Sequence, residues 1–300
     1  MNKKISLGLT AAIALTAVAV SVIATVFVTL FFYNKVVSDV SDKSAMYSSL
    51  ARVDEIVRKN YYYASDDKKL SDSLVSGYVN ALGDGNEYMT AQEYEEYKRQ
   101  ISSSELTNVS YEKIDSNAYI KFKSFYPSAA EEFKSALEKA SSDSVTGLII
   151  DLRDVSQGDS DTAVKTADMI VPLGSDKEQA LAYACDRNGE KVKIWSADSS
   201  DVSLNIVLLI NGKTSGSAEL FAAVLTGYNK ASVLGEKTAG NGMYSEIFEL
   251  EDGGALKLNT AELVPYGSKV FNEVGISPDV AFSGTDEQFI QKSAEILKGE

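Results

Sequence analysis

The stretch "NIVLLINGKTSGSAELFAAVL", Asn205 to Leu225, decides the fold. Its first six residues are almost continuously apolar, which is typical of a buried strand in a parallel sheet. A Gly/Ser-rich turn follows, and the apolar residues after it predict a buried helix over 217–227. A strand, a tight turn and a helix in this order expose hydroxyl groups at the edge of a sheet, where hydrolases hold a nucleophile. The candidates here are Thr214, Ser215 and Ser217.

Elements of the same kind flank this stretch. The pattern predicts strands at 118–125, 147–152, 231–236, 243–250 and 255–264, and helices at 128–140, 162–171 and 285–298. Strands that alternate with crossover helices indicate one α/β core, predicted to span 118–283 and to be followed by a C-terminal helix in 284–300. Residues 49–100 instead have helical periodicity, and Thr90 with Glu93 predicts a capping box.

The N-terminus has the composition of a membrane anchor. Lys3 and Lys4 precede an apolar run from Ile5 to Phe32, long enough to cross a bilayer as a helix. "AVA" at 17–19 resembles a signal-peptide cleavage site, but the run continues beyond it, which favours an uncleaved anchor. We therefore expect a single-pass cell-membrane protein with an anchor in 1–35, a polar stalk in 36–48, a cytoplasmic N-terminus and an extracytoplasmic C-terminal domain.

The composition excludes several classes of site. The chain has no histidine, so neither a Ser-His-Asp triad nor a histidine metal site can form, and we expect no metal or cofactor. With 43 acidic and 29 basic residues the formal net charge is −14, which argues against nucleic acid as a partner. A single cysteine, Cys185, can form no internal disulfide.

Several motifs occur together in one order. They are "LGDGNEYMTAQEYEEY" (82–97), "SFYPSAAEEFKSAL" (124–137), "GLIIDLRD" (147–154), "NGKTSGSAELFAAVL" (211–225), "LGEKTAGNG" (234–242) and "VGISPDV" (274–280). In order and spacing they resemble the C-terminal processing peptidases, also called tail-specific proteases. The resemblance implies a crotonase-like α/β core with an N-terminal helical unit, here 49–100. The family's usual PDZ domain is replaced by a linker, 101–117, too short to fold as a domain.

The resemblance also places the catalytic positions. The family's nucleophilic serine corresponds to Gly216, its general-base lysine to Asn241, and the glutamine that orients the lysine to Ser245. Gly216 has no hydroxyl group, and an amide such as Asn241 cannot accept a proton as a base. In the oxyanion region, where the family has "NPGG", Gln157 and Gly158 stand here. No catalytic residue is expected at the family positions.

Three interpretations remain open. The first is an inactive pseudopeptidase that binds extended peptides or a protein partner. The second is an active serine endopeptidase with a displaced nucleophile, Ser217 or Ser215, and a lysine base, Lys237 or Lys213. The third is a structural subunit that pairs with an active homologue or forms a homodimer.

Two further groups of residues have a structural and a functional interpretation. Asp151 and Arg153 follow a buried strand, where a structural ion pair is favoured over a catalytic pair. The tyrosines at 61–63 are either a contact surface or a local cluster that covers the core.

Overall fold

The chain folds into two compact units, Met1–Leu70 and Ser71–Glu300. The computed structural model describes residues 17–18, 20–22, 24–29, 44, 47–102, 107–171, 179–197, 203–268 and 270–299. Within the first unit, residues 47–60 form helix α1, on which Arg58 pairs with Asp54 one turn earlier at 2.8 Å. Tyr62 and Tyr63 follow α1, exposed and in edge-to-face contact.

Most of the predicted anchor and stalk lies outside the described residues. Those that are described at 17–18, 20–22 and 24–29 are helical. Among all the described residues, no helix combines the length and the apolar character needed to cross a bilayer.

The remaining helices and strands alternate along the chain. The helices are α2 Asp67–Asn80, which spans the boundary between the units, α3 Ala91–Ser102, α4 Ser128–Ser142, α5 Ser160–Asp168, α6 Ser217–Gly227 and α7 Asp286–Lys298. The strands are β1 Glu87–Met89, β2 Val109–Ile114, β3 Asn117–Phe122, β4 Gly147–Asp151, β5 Ala180–Cys185, β6 Lys191–Ser196, β7 Asn205–Ile210, β8 Ala231–Gly235, β9 Met243–Glu249, β10 Ala255–Pro265 and β11 Val280–Ala281.

A six-stranded sheet forms the centre of the second unit, in the order β2-β3-β4-β7-β8-β11. All neighbours are parallel except β2 and β3, which form an antiparallel pair. Every residue of β4 is buried, as expected for a central parallel strand with both faces covered. The carboxyl ends of β4 and β7 therefore meet at one edge, where ligand sites of α/β sheets form.

A second, antiparallel sheet lies beside this edge. It has the order β1-β10-β5-β6, and β9 pairs with β10. The larger hydrophobic core joins one face of the parallel sheet, helices α4 to α6 and the inner side of the antiparallel sheet. A smaller core lies on the other face of the parallel sheet, where α7 packs through Phe289 against Ile149 and Val207.

The pair Asp151 and Arg153 has a structural role, which confirms the prediction. Asp151 is fully buried at the end of β4, and the Arg153 guanidinium donates to both of its oxygens, at 2.9 and 2.6 Å. The same guanidinium bonds Asp286 at the start of α7 at 2.8 Å and lies over the Phe289 ring. The pair therefore links the parallel sheet to the C-terminal helix.

The segment predicted as a linker, 101–117, contains ordered structure. Helix α3 continues to Ser102, and Val109–Ile114 forms β2, the antiparallel edge strand of the parallel sheet. Its alternating burial, with Val109 inside and Ser110 outside, is normal for an edge strand. Three apolar residues in six are too weak a pattern to identify such a strand from sequence alone.

The segment 49–100, predicted as a helical unit, contains residues of both compact units. The boundary between the compact units falls after Leu70, so residues 71–100 belong with the α/β core. Within the second unit, the short strand β1 between α2 and α3 pairs with β10 through Tyr88 and Leu256.

The capping box at the start of α3 is confirmed. The Glu93 carboxylate accepts the Thr90 backbone N–H and hydroxyl, both at 2.8 Å, and the Glu93 N–H donates back to the Thr90 hydroxyl at 3.4 Å. Replacing Thr90 with Ala is expected to reduce the free energy of unfolding by about 1 kcal/mol, since one helix-end donor loses its acceptor. Urea unfolding measures this loss. Gln92→Ala, an exposed change on the same turn, is the control and should stay within about 0.5 kcal/mol of wild type.

Candidate functional site

The candidate site lies where the turn after β4 meets the turn after β7. The Ser215 N–H donates to the Val155 carbonyl at 2.9 Å, and the Thr214 hydroxyl donates to the Leu152 carbonyl at 2.9 Å. These bonds join the two turns and place the N-terminus of α6 beside the loop that leads to α5. Thr214 is fully buried in this role, so it is a structural residue and no nucleophile.

Gly216 occupies the residue before α6 in a conformation that L-residues rarely adopt. Its φ is 62° and its ψ is −115°. A Cβ atom placed on Gly216 would lie 3.9 Å from Nδ2 of Asn241 and within 4 Å of no other group that the structure describes. The position predicted for the nucleophile therefore faces the position predicted for the base, across a gap wide enough for a side chain.

The Glu219 carboxylate holds these two positions together. It is fully buried on the first turn of α6. Its oxygens accept the N–H of Gly216 at 3.0 Å, of Gly240 at 2.7 Å and of Asn241 at 2.8 Å, together with the Thr238 hydroxyl at 2.5 Å. One buried side chain thus orders both loops. Glu219 is part of a motif that can be identified from the sequence. Its hydrogen bonds to residues 19 to 22 positions away are visible only in the structure.

Ser245, at the third predicted position, points to a different partner. Its hydroxyl donates to Oδ1 of Asn259 on β10 at 2.8 Å. The Asn259 amide in turn donates to the Asp84 carbonyl at 3.1 Å. The orienting position is therefore part of the contact between the β9–β10 hairpin and the "GDGN" loop.

The oxyanion region keeps one glycine where the backbone requires it. Gly158 has a φ of 128°, and a Cβ there would lie 2.4 Å from the Phe125 carbonyl carbon, so no other residue fits. The Gln157 carbonyl accepts the Phe125 N–H at 2.8 Å, and the Asp159 N–H donates to the Phe125 carbonyl at 3.1 Å. These bonds hold the loop beside the N-terminus of α6.

A cavity of about 170 Å³ opens between these loops and the antiparallel sheet. Its lining combines the predicted catalytic and oxyanion positions with residues of α3, α5, β9 and β10. The lining residues are Tyr97, Ser156, Gly158, Asp159, Ser160, Asp161, Gly216, Ser217, Asn241, Met243, Tyr244, Ser245, Ile247 and Lys257. No group of three or more Cys, Asp or Glu side chains with metal-binding geometry occurs in the part of the chain that the structure describes.

The comparison with protein families agrees with this geometry. The model of peptidase family S41 matches residues 116–282, more than half of the chain. The chain belongs to peptidase family S41. The match covers the parallel sheet from β3 to β11, both turns and the β9–β10 hairpin.

Curated relatives of this S41 chain are C-terminal processing proteases. The "Probable CtpA-like serine protease" of Staphylococcus saprophyticus is 29% identical over 173 residues, which is 57% of the chain and 35% of the relative. The chloroplastic "Carboxyl-terminal-processing peptidase 2" of Arabidopsis thaliana is 29% identical over 164 residues, 54% of the chain and 31% of the relative. The matched segment spans about a third of the length of these relatives.

Solved structures share the fold. A lipoprotein from Streptococcus agalactiae aligns with a TM-score of 0.63 at 20% identity, covering 79% of the chain and 84% of that protein. The photosystem II D1 C-terminal processing protease aligns with a TM-score of 0.52 at 24% identity, covering 59% of the chain and 49% of that protein. The mixed α/β fold of the S41 chain is therefore that of known S41 proteases.

The structure separates the two fallback nucleophiles of the S41 chain. Ser217 is 6% exposed, lines the cavity, and its hydroxyl has no hydrogen-bond partner among the described residues. Ser215 is half-buried and lies outside the cavity lining.

The fallback bases lie away from this cavity. Lys237 is exposed and lines a separate cavity beside β11, together with Phe282. Lys213 is 82% exposed in its side chain and pairs with Asp154 at 3.6 Å. The lysine that the fold brings to the cavity is Lys257 of β10, for which the sequence contains no signal because its position depends on the pairing of β9 with β10.

Asp159 adds a half-buried acid to the cavity wall. It caps α5, where its carboxylate accepts the Thr162 N–H at 2.7 Å and the Thr162 hydroxyl at 2.9 Å. Burial raises the pKa of Asp159 above its usual value of 3.8, and the bonds from Thr162 lower it only in part. The folded state therefore favours the protonated acid more than the unfolded state does.

This raised pKa predicts a pH-dependent effect of Asp159→Asn. Above the folded pKa, wild type has to keep a half-buried charge that the amide does not have, so the variant should have the higher Tm at pH 7. As the pH falls towards 3.8, wild-type Asp159 becomes protonated and the difference in Tm should shrink. Thermal melts of both proteins across this pH range measure the difference, and a gap that widens at low pH would contradict the raised pKa.

Proposed function

We propose that this S41 chain is a membrane-anchored, extracytoplasmic pseudopeptidase that binds extended peptides and does not cleave them. The observation that carries the proposal is the pair Gly216 and Asn241. A Cβ atom on Gly216 would lie 3.9 Å from the amide nitrogen of Asn241, so the two positions face each other as a nucleophile faces its base. Their chemistry supplies neither a hydroxyl group nor a basic nitrogen.

The rest of the site supports binding. Glu219 still orders both loops, and the cavity is open beside β9. In the described part of the chain β9 pairs only with β10, so its second edge offers free N–H and C=O groups. A peptide can add to such an edge through main-chain hydrogen bonds, which need no catalytic side chain.

The proposed placement rests on the sequence. Lys3 and Lys4 before the apolar run at 5–32 favour an anchor with its N-terminus inside, and the α/β domain outside. We infer a crotonase-like arrangement for the core from the parallel sheet with helices α4 to α6 on one face. A homodimer, or a pair with an active homologue, is the proposed assembly for a chain that recognises peptides without cutting them.

A second candidate function is supported by one observation. Ser217 lines the cavity with an unpartnered hydroxyl, and Lys257 lines the same cavity. A serine and a lysine in one cavity are the elements of a displaced catalytic pair, and this candidate predicts residual endopeptidase activity that depends on Ser217.

Cleavage of unfolded casein by the full-length chain in detergent distinguishes the two candidates. Wild type, Ser217→Ala and Ser215→Ala are compared by the release of soluble peptides over a day. The pseudopeptidase proposal expects no release above the buffer rate in any of the three. Release by wild type that disappears only in Ser217→Ala would refute it and identify the displaced nucleophile.

A further inference from the structure

We propose that the cavity at the N-terminus of α6 binds the free C-terminal carboxylate of an extended peptide. This inference rests on the proposed function and names the ligand group that the altered site selects. In an active peptidase the same place would hold the scissile bond in the middle of a chain. In this protein the residues around the cavity favour the C-terminal carboxylate of a peptide.

The first observation is the Ser217 hydroxyl. Its oxygen is buried without a hydrogen-bond partner among the described residues, although the side chain lines the cavity. A buried hydroxyl without a partner is unfavourable, and natural proteins rarely keep one unless a ligand or a water completes it. Ser217 is also the first residue of α6, an eleven-residue helix.

The second observation is the helix terminus itself. The first N–H groups of a helix have no acceptor within the helix and carry a partial positive charge, which favours an anion. Glu219 accepts the N–H of Gly216, which precedes the helix. The Ala218 N–H donates to the Ser215 carbonyl at 3.3 Å and the Leu220 N–H to the Gly216 carbonyl at 2.9 Å. The Ser217 N–H, which has no acceptor among the described residues, is therefore the helix-end donor that we assign to the cavity that Ser217 lines.

The third observation is the space at Gly216. Gly216 has no side chain, and only the Asn241 amide nitrogen lies within 4 Å of the point that a Cβ atom would occupy, at 3.9 Å. A carboxylate oxygen can occupy this space and accept a hydrogen bond from the Asn241 amide, which has no other partner among the described residues. The Gly158 N–H, of another residue that lines the cavity, likewise has no acceptor in the described part of the chain and can serve the second oxygen.

The charges around the cavity permit an anion. Asp161 is neutralised by Lys193, whose ammonium lies 2.6 Å away, and it also accepts the Trp195 indole N–H at 2.6 Å. Asp159 is engaged by the Thr162 N–H and hydroxyl. Lys193 and Lys257 offset these two aspartates. The Glu219 carboxylate, which accepts the Gly216 and Asn241 N–H groups, is engaged by four donors in all.

The peptide is placed by β9. This strand begins at Met243, two residues after Asn241, and Met243, Tyr244 and Ile247 line the cavity. A peptide added along the free edge of β9 would reach the start of α6 with its terminus. Its side chains would meet an apolar wall, so we expect peptides with apolar residues near the C-terminus.

The test is a competition between two forms of one peptide pool. Octapeptides randomised at every position are prepared with a free C-terminal carboxylate and, separately, with a C-terminal amide. An equimolar mixture is passed over immobilised full-length chain in detergent, and mass spectrometry measures the ratio of acid to amide among retained peptides, corrected for a matrix without protein. Wild type should enrich the acid about tenfold, the effect of one or two charge-assisted hydrogen bonds.

Two variants and one control locate the effect. Ser217→Ala removes the unpartnered hydroxyl and should keep or raise the Tm, so a reduced acid preference reflects binding and not folding. Asn241→Asp, at an exposed position, places a negative charge against the carboxylate and should abolish the preference. Ser215→Ala, a neighbouring serine outside the cavity lining, should keep the wild-type ratio.

Each other outcome has a distinct meaning. Equal retention of acid and amide by wild type would overturn carboxylate capture and leave peptide binding intact. Retention of neither form above the blank would overturn the proposed function and this inference with it. An acid preference that persists in both Ser217→Ala and Asn241→Asp would show that the carboxylate binds elsewhere.

Discussion

Introducing serine at 216 and lysine at 241 together is expected to create labelling by a fluorophosphonate that the wild-type chain does not have. The two positions face each other, and the loops that carry them are already ordered by Glu219. A positioned general base accelerates a reaction by about 10²- to 10⁴-fold, so Gly216→Ser with Asn241→Lys should label at least about 10²-fold faster than Gly216→Ser alone. Intact-mass spectrometry over time measures the rate.

The matched control is Gly216→Ala combined with Asn241→Lys. It imposes the same strained backbone on a residue with a Cβ, at a cost of about 1–3 kcal/mol, but provides no hydroxyl group. It should fold with a Tm close to that of the serine variant and remain unlabelled. If the double variant folds and stays unlabelled, the facing geometry of 216 and 241 is not that of a catalytic pair, and our interpretation of the site is wrong.

Replacing Glu219 with Ala is expected to reduce the free energy of unfolding by about 3–5 kcal/mol, as when one partner of a buried charged network is removed. Four donors lose their acceptor at once, on Gly216, Thr238, Gly240 and Asn241. None of them has a described alternative acceptor in the protein interior. Urea unfolding followed by circular dichroism measures the loss.

Glu236→Ala is the control for this change. Glu236 is an exposed acid at the end of β8, on the loop that leads to Thr238, and its removal should alter stability by no more than about 0.5 kcal/mol. A Glu219→Ala variant as stable as Glu236→Ala would show that the two loops are ordered by other contacts.

The central strands β4 and β7 could be predicted from sequence because they are short, continuous apolar runs. The edge strands β2 and β11 of the same sheet have no counterpart among the predicted strands. The predicted strand and helix of the opening stretch have the same bounds as β7 and α6. At β4 the prediction differs by one residue, Leu152, since the Asp151 carboxylate turns the chain into the loop before α5. The bounds of β4, β7 and α6 follow from the local pattern of apolar residues, which is therefore sufficient to predict these elements.

The antiparallel sheet is harder to predict. The hairpin of β5 and β6 has no counterpart among the predicted strands, although Asn188-Gly189 between them is a strong turn signal and Asp186 accepts the N–H groups of Asn188 and Glu190. The short strand β1 exists only because β10 is long enough to pair with it, so no local pattern predicts it.

The residue positions of the candidate site could be predicted from the sequence, whereas the hydrogen bonds and cavity contacts of those residues could not. Gly216, Asn241 and Ser245 follow from the resemblance of motifs, and the family match is now shown over 116–282. Three features of the site depend on tertiary contacts. They are the hydrogen bonds that Glu219 accepts from both loops, the unpartnered Ser217 hydroxyl and the presence of Lys257 in the cavity. Membership of the family establishes the fold, and activity has to be argued from these groups.

The most direct test of the central claim is the mass of the full-length wild-type chain after incubation with a fluorophosphonate, measured beside the variant with Ser at 216 and Lys at 241. We predict an unchanged mass for wild type and one added phosphonyl group for the variant. One phosphonyl group on the wild-type chain, located at Ser217 or Ser215 by peptide mapping, would contradict the account and establish an active peptidase with a displaced nucleophile.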